Sequence, residues 1–415
     1  MVRVANDLAL AAPAPARPAG PAPARPAAAA GHLWQVDLLR LVTFLAVISV
    51  HSTAFTEPAG NEVAAGVMML LQFGREVFFA ISGFVLVHAA RGRRVGAVAF
   101  WRRRLPWVVV PYLAWSAIYY AVAIAFSGAH LSGATVWRDV LGGGADYHLY
   151  FLVVTIQLYV VFPLLVRVVR ATAGYAWWVL GVVGTANLAW LGVVEYVPRP
   201  AGTAGWWWTH AYQLLPTYAV YVLAGCYAAA HYERVTAVVA RHARRLLLVS
   251  AACAATALSV YAYQLGWMAP RTADAVLQPA MAATCVAATL SIYVVASRWA
   301  TGPRRFARVV TVGSEISFGV YLAHPLVLTF LVRHGLSPTD HLVPDAVATV
   351  LGILGATTGA AVIALLAQRT PLSRVLTGRP RLRPAGPARP ARPPGPARPP
   401  GPARPSGPAR DVAAA

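Results

Sequence analysis

An all-α fold, a polytopic membrane bundle of ten transmembrane helices with both termini cytoplasmic, is what this sequence predicts. Three observations carry the prediction: ten long apolar segments, a shortage of charge, and arginines that fall in alternate gaps between the segments. The 415 residues are 58% hydrophobic and 12% charged, whereas a soluble globular chain carries about 25% charge. Mean hydropathy is +0.57. The formal charge of +21 invites a nucleic-acid reading. Against it, lysine is absent, and the arginines lie in short connections and a C-terminal tail rather than on one folded face. The expected partner is therefore the lipid bilayer and not nucleic acid, which makes this a multi-pass protein of the cell membrane.

The apolar segments run over 34–55, 63–90, 106–126, 149–169, 176–194, 213–231, 245–266, 276–297, 309–332 and 344–368. Each approaches or exceeds the roughly 20 residues that a helix needs to cross the hydrocarbon core. Orientation follows from the connections, because arginine accumulates on the cytoplasmic side. The second connection holds Arg91, Arg93, Arg94, Arg102, Arg103 and Arg104, and the fourth holds Arg167 and Arg170. The sixth holds Arg234, Arg241, Arg244 and Arg245, and the eighth holds Arg298, Arg304, Arg305 and Arg308. The odd connections hold none or one: Arg138, Arg199, Arg271 and Arg333. An unbroken alternation between two basic tails requires an even number of crossings.

Residues 1–31 are Ala/Pro-rich and lack the short apolar core of a signal peptide, so a disordered cytoplasmic tail is expected there. Residues 32–370 form the membrane domain, and residues 371–415, with their Gly-Pro-Ala-Arg-Pro repeats, read as a second disordered tail. Cys226, Cys253 and Cys285 sit in three different segments, with neither metal nor disulfide spacing.

Polar residues inside the spans mark the chemistry, since an ionised group at the bilayer centre costs ~2.5–3.5 kcal/mol or more. Arg40 and His51 share the first helix, about 16 Å apart along its axis, with Arg40 towards the inside and His51 towards the outside. Arg75 and Glu76 fall near the middle of the second. Tyr147 and His148 mark the outer end of the fourth, with Gln157 deeper, and His324-Pro325 lies in the outer half of the ninth.

Five of these stretches, in order, resemble the membrane acyltransferase-3 family. Gly74-Arg75-Glu76-Val77-Phe78-Phe79-Ala80-Ile81-Ser82-Gly83-Phe84 is similar to its acidic-x-Phe-Phe-x-x-Ser-Gly-Phe signature, and Arg40 with His51 matches its Arg-x10-His. Phe100 to Arg104, leading to Pro111-Tyr112 and Trp115-Ser116, resembles its entry to the third helix. Tyr147 to Phe151 with Gln157 to Tyr159 resembles its fourth helix. Gly313 to Ser317 with Tyr321 to Pro325 resembles its ninth. The chain departs from the pattern at one point. The family has Arg-x-x-Arg entering the third helix, and here Trp107 stands where the second arginine would fall, leaving Arg102 or Arg103 to substitute.

The resemblance implies transfer of an acyl group, with acetyl the expected one, from acyl-CoA to a hydroxyl of a carbohydrate acceptor. Acyl-CoA is then a co-substrate, and no tightly bound cofactor is expected. Guanidinium groups bind phosphate in bidentate fashion and keep their charge, so Arg40, Arg102, Arg103, Arg104 and, from the signature, Ser82 are the expected donor site. Histidine titrates in the range useful to a general base. His51 is the expected base, with Glu76 to support its imidazolium, unless Glu76 pairs with Arg75 or Arg40 instead. His148, Gln157 and His324 are the expected acceptor contacts.

Plainer readings stand beside these. The helix-3 arginines serve equally as topology anchors, Ser82-Gly83 as a small-residue packing contact, and His51 as an interhelical hydrogen-bonding group. His148 fits an interfacial site, and His324-Pro325 a kink whose freed carbonyl the histidine satisfies. Trp206, Trp207 and Trp208 read as an aromatic belt. A carrier of a polysaccharide or lipid-linked sugar is the alternative from another class, although no internal repeat of the carrier kind is visible.

Overall fold

A computed structural model describes residues 32–128, 132–339 and 343–381. The expectations for residues 1–31 and 382–415 lie outside the described residues. Every regular element among the described residues is helical. In chain order these are α1 (Trp34–Thr56), α2 (Glu62–Leu71), α3 (Gly74–Ala89), α4 (Ala97–Arg104), α5 (Pro106–Ser127), α6 (Gly133–Gly142), α7 (Tyr150–Ala171) and α8 (Ala176–Tyr196). There follow α9 (Gly202–Thr209), α10 (Ala219–Ala230), α11 (Tyr232–Gln264), α12 (Pro270–Ala273), α13 (Ala280–Thr301), α14 (Ala307–Leu331), α15 (Asp345–Arg369) and α16 (Ser373–Thr377).

Nine helical stretches among the described residues are long and apolar enough to cross a membrane. The remaining expected segment, 213–231, is a shorter apolar helix, Leu215–Ala230. The second and third expected spans differ from simple single helices in different ways. The second breaks into α2 and α3 around Gln72 and Phe73. The third, expected over 106–126, lies wholly within α5; the short helix α4 precedes it and ends before Pro106, which has no N–H to carry the helix hydrogen bonding across. The seventh is extended: α11 starts at Tyr232 and bends at His242, where φ is −115° and ψ is 18°. Its basic residues Arg234, Arg241, Arg244 and Arg245 are exposed on helix rather than on a loop, with Val239 and Ala243 buried between them.

α1 is the hub, packing against α2, α3, α13, α14 and α15. It contributes to both large cores, one shared with α3, α7 and α10 and the other with α5, α7, α14 and α15. Small residues set the close approaches. A Cβ on Gly225 of α10 would lie 1.9 Å from the Ala80 carbonyl oxygen of α3, and one on Gly83 would lie 2.4 Å from that of Val222. Gly83 is thus a packing contact, as its plainer reading had it. On α15, Ala348, Gly352, Ala356, Ala360 and Ala364 are buried at every fourth position, one stripe of a helix.

The ordered fold continues past the expected boundary at residue 370. Ser373 and Thr377 of α16 are fully buried, and Trp115 Nε1 donates to the Leu376 carbonyl at 2.9 Å. At Gly378 φ is +59°, and a Cβ would stand 2.7 Å from the Trp107 carbonyl oxygen. This position requires glycine on both counts.

Candidate active site

Two cavities lie along α1, one around Arg40 and one around His51. The larger, about 980 Å³, is lined by six arginines: Arg40, Arg93, Arg94, Arg103, Arg104 and Arg379. Among the described residues, none that lines it is acidic. Ser82 of α3 and Ser314 and Ser317 of α14 face it, with Phe78, Phe100, Tyr159 and Phe162 as apolar wall. The carboxylate near Arg40, Asp37, is occupied elsewhere, accepting from Ser314 Oγ at 2.7 Å and paired with His32 Nε2 at 2.5 Å. Six lining guanidinium groups outnumber the one carboxylate near Arg40, and this excess of positive charge suits a polyanion such as a phosphorylated ligand.

The smaller cavity, about 90 Å³, is lined by His51, Arg75, Tyr147, His148, Tyr150 and Tyr321 among others. Phe151 at the start of α7 lines both cavities, and its ring packs against Phe78, Phe79 and Tyr321. It is a thin aromatic partition between the arginines and the histidines.

Three histidines converge at the smaller cavity. His51 Nδ1 lies 2.9 Å from His324 Nε2, and the ring of His148 stands edge-on to His324 with centroids 5.6 Å apart. His148 Nδ1 lies 2.9 Å from Asp146 Oδ1, which makes this nitrogen the donor. His148 Nε2 is sealed from solvent with no hydrogen-bond partner, whereas His51 is half-buried and opens onto the cavity. Of the two, His51 is the accessible imidazole.

Glu76 does not meet His51. Its Oε1 is held by Arg75 Nε at 2.9 Å and Nη2 at 2.5 Å, so of the three partners weighed for it the structure selects Arg75. Arg75 also donates to Tyr150 Oη at 3.2 Å and to the Val276 carbonyl at 3.3 Å. Gln157 stands apart as well. Its Nε2 donates to the Gln213 carbonyl at 2.8 Å and its Oε1 accepts from Leu215 N at 2.9 Å, so both ends of the amide anchor the entry to α10. Arg102 is exposed and lines neither cavity. Trp206 and Trp207 are exposed on α9.

A family model described as an acyltransferase domain matches residues 33–365, a stretch that holds all of α1 to α14 and both cavities except Gly378 to Pro380. The chain belongs to the acyltransferase-3 family. Neither a curated protein nor a solved structure matches it. This acyltransferase-3 protein is a membrane acyltransferase, and its family motifs map onto the two cavities. Arg40 and Ser82 reach the larger one, and His51 the smaller. Sequence reasoning missed Arg93, Arg94 and Arg379 of the arginine cavity, Asp146 behind His148, and Phe151 as partition. Arg93 and Arg94 were visible as basic residues beside the family motif, while Asp146 precedes Tyr147-His148 and had a detectable carboxylate-histidine spacing.

Proposed function

We propose that this protein is an acyl-CoA-dependent O-acyltransferase that moves a short acyl group, acetyl, to a hydroxyl of a carbohydrate. Candidate acceptors are a cell-surface polysaccharide, a lipid-linked sugar or a glycosylated metabolite. The observation that carries the reading is the pair of cavities that share Phe151 as a wall: a large cationic chamber with no acidic residue in its described lining, and a small one with an accessible imidazole. The arginines hold the nucleotide phosphates of CoA on the cytoplasmic side. The pantetheine arm brings the thioester past Phe151 to His51. The acceptor enters from the outer side, in a cell membrane that the chain crosses ten times with both termini inside.

In the reaction, His51 Nε2 takes the proton of the acceptor hydroxyl as its oxygen attacks the thioester carbonyl. The tetrahedral oxyanion forms beside Arg75, whose positive charge and N–H groups are held at the cavity wall by Glu76 and Tyr150. Collapse breaks the C–S bond, and the imidazolium of His51 returns its proton to the CoA thiolate. The products are an ester and free CoA. Glu76 therefore acts on Arg75, not on His51. Family membership favours this reading over a sugar carrier.

Membranes containing the protein, given radiolabelled acetyl-CoA and an envelope carbohydrate extract, are expected to label the carbohydrate. His51→Ala is expected to lose at least ~100-fold of that rate, the scale of general base catalysis, with the protein still inserted. Normal labelling by correctly inserted His51→Ala removes His51 from the mechanism.

A further inference from the structure

We propose that Pro325 fixes which nitrogen of His51 carries its proton, acting through the Tyr321 carbonyl and His324. On this account His324 is a positioning residue for the base rather than a contact of the acceptor. The proposal rests on the reading of His51 as the base.

Proline has no N–H, so in α14 the carbonyl four residues before Pro325, that of Tyr321, loses its helical donor. His324 Nδ1 lies 2.7 Å from that oxygen. A carbonyl only accepts, so the proton of this bond sits on Nδ1. His324 is fully buried, and its polar neighbours include the Tyr321 and Val320 carbonyls, which only accept, and His51, with His148 edge-on. A second proton on His324 would bury a cation with no carboxylate hydrogen-bonded to it, which the low-dielectric interior strongly disfavours. The ring is neutral, and its Nε2 presents a lone pair.

His51 Nδ1 faces that lone pair at 2.9 Å, with the two ring planes 6° from parallel. Two lone pairs cannot bond to each other, so the hydrogen comes from His51 Nδ1. A neutral His51 then has its Nε2 unprotonated, and Nε2 is the nitrogen free to take a proton from a hydroxyl. A carboxylate does this service for histidine in a hydrolase triad. Here a neutral histidine does it, with its own tautomer set by a proline. The arrangement suits a site inside the bilayer, where a second carboxylate would need its own cation. The neighbouring His148 is locked in the same sense, Nδ1 to Asp146, but its Nε2 is sealed.

Nitrogen NMR of isotopically labelled histidine side chains in the purified full-length protein reads the tautomer directly, with His51 assigned by its loss in His51→Gln. The expected wild-type state has the His51 proton on Nδ1, and His324→Phe is expected to move much of it to Nε2. The same variant is expected to lower kcat by on the order of tenfold, the scale of one lost hydrogen bond, with both KM values unchanged. His324→Gln, whose amide oxygen can accept from Nδ1, is expected to restore part of the rate. Pro325→Ala returns a backbone donor to the Tyr321 carbonyl and should produce a milder change of the same kind; it serves if His324→Phe does not fold. A wild-type His51 protonated on Nε2, or a tautomer indifferent to both variants, overturns the proposal. So does a His324→Phe protein with raised acceptor KM and normal kcat. Normal turnover by His51→Ala, by contrast, defeats the base assignment while leaving the tautomer result standing.

Discussion

Arg379 answers the departure that the sequence shows at Trp107. The indole stands where the family has a second arginine, and it serves the C-terminal strap instead. Arg374 lies over its ring, 5.4 Å from the centroid, and its carbonyl crowds Gly378. The left-handed turn at Gly378 then delivers Arg379 to the arginine cavity. If Arg379 holds a CoA phosphate, Arg379→Gln removes a charge-assisted hydrogen bond worth roughly 1.5–3 kcal/mol, or about ten- to a hundredfold in affinity. The apparent KM for acetyl-CoA is expected to rise by that factor, while that for acetyl-pantetheine, which lacks the nucleotide, stays near its wild-type value. Arg102→Gln, outside the cavity, should leave both unchanged. Kinetics in membranes decide it; an unaltered acetyl-CoA KM in Arg379→Gln reduces the strap to a structural brace. Arg40, Ser82, Arg103 and Arg104 were legible because each belongs to a motif with a fixed place on a helix. Arg379 was not, because Gly378-Arg379-Pro380 is locally identical in character to the repeats that follow it. The Arg75–Glu76 pairing was legible only as one of three alternatives, since adjacent residues on a helix point in different directions and only rotamers bring them together.

At the scale of elements, hydropathy located the helices but not their interruptions, because a window average passes smoothly over one residue. The α2–α3 break sits where Gly74 meets Val47 of α1, a contact that leaves no room for a side chain, and no local pattern encodes a neighbour's position. The α10 entry is likewise fixed from outside, by the Gln157 amide on the backbone of residues 213–215. α12 was invisible as an element, yet it ends at a buried carboxyl, Asp274. Burial pushes the Asp274 carboxyl up to about 7, with Arg271 at 4.0 Å opposing that only in part. An unfolded aspartate releases its proton near 3.9. Between those values the folded chain binds more protons than the unfolded one, so stability falls as pH rises through the window. Asp274→Asn removes the ionisation. Thermal unfolding in detergent is expected to give the variant and wild type similar midpoints at pH 4, with the variant higher at pH 8. A wild-type advantage at pH 8 would mean that the carboxylate is stabilised by Arg271 more than burial disfavours it.

For the whole molecule, arginine placement and tertiary contacts point the same way independently. Arg170 donates to the carbonyl of Arg93 at 2.8 Å, and Arg91 pairs with Glu233 at 2.9 Å. Arg304 lies 4.9 Å over the ring of Trp34. These contacts tie the second connection to the fourth and sixth, and the eighth to the start of α1, so the arginine-rich connections share one end of the bundle. At the other end Thr349 donates to Glu57 at 2.9 Å, joining the first connection to the first turns of α15, and Arg271 reaches the Glu57 carbonyl at 3.4 Å. The short helix α10 bridges the two ends. Its entry lies by Tyr150, whose ring meets Tyr212, and its exit lies by Arg91, which donates to the Ala229 carbonyl. A tenth crossing by this short helix stays part of the proposal. The arginine end is expected to face the cytoplasm, where CoA is available to the cavity around Arg40. Gly60 and Gly96 are exposed positions with room for a side chain, at opposite ends of the bundle in this arrangement. In a background where Cys226, Cys253 and Cys285 are replaced, an impermeant thiol reagent is expected to label Gly60→Cys in intact cells. Gly96→Cys should react only after the membrane is opened. Labelling of Gly96→Cys in intact cells with protection of Gly60→Cys would invert the molecule, put the arginine cavity outside, and leave it without access to a cytoplasmic donor.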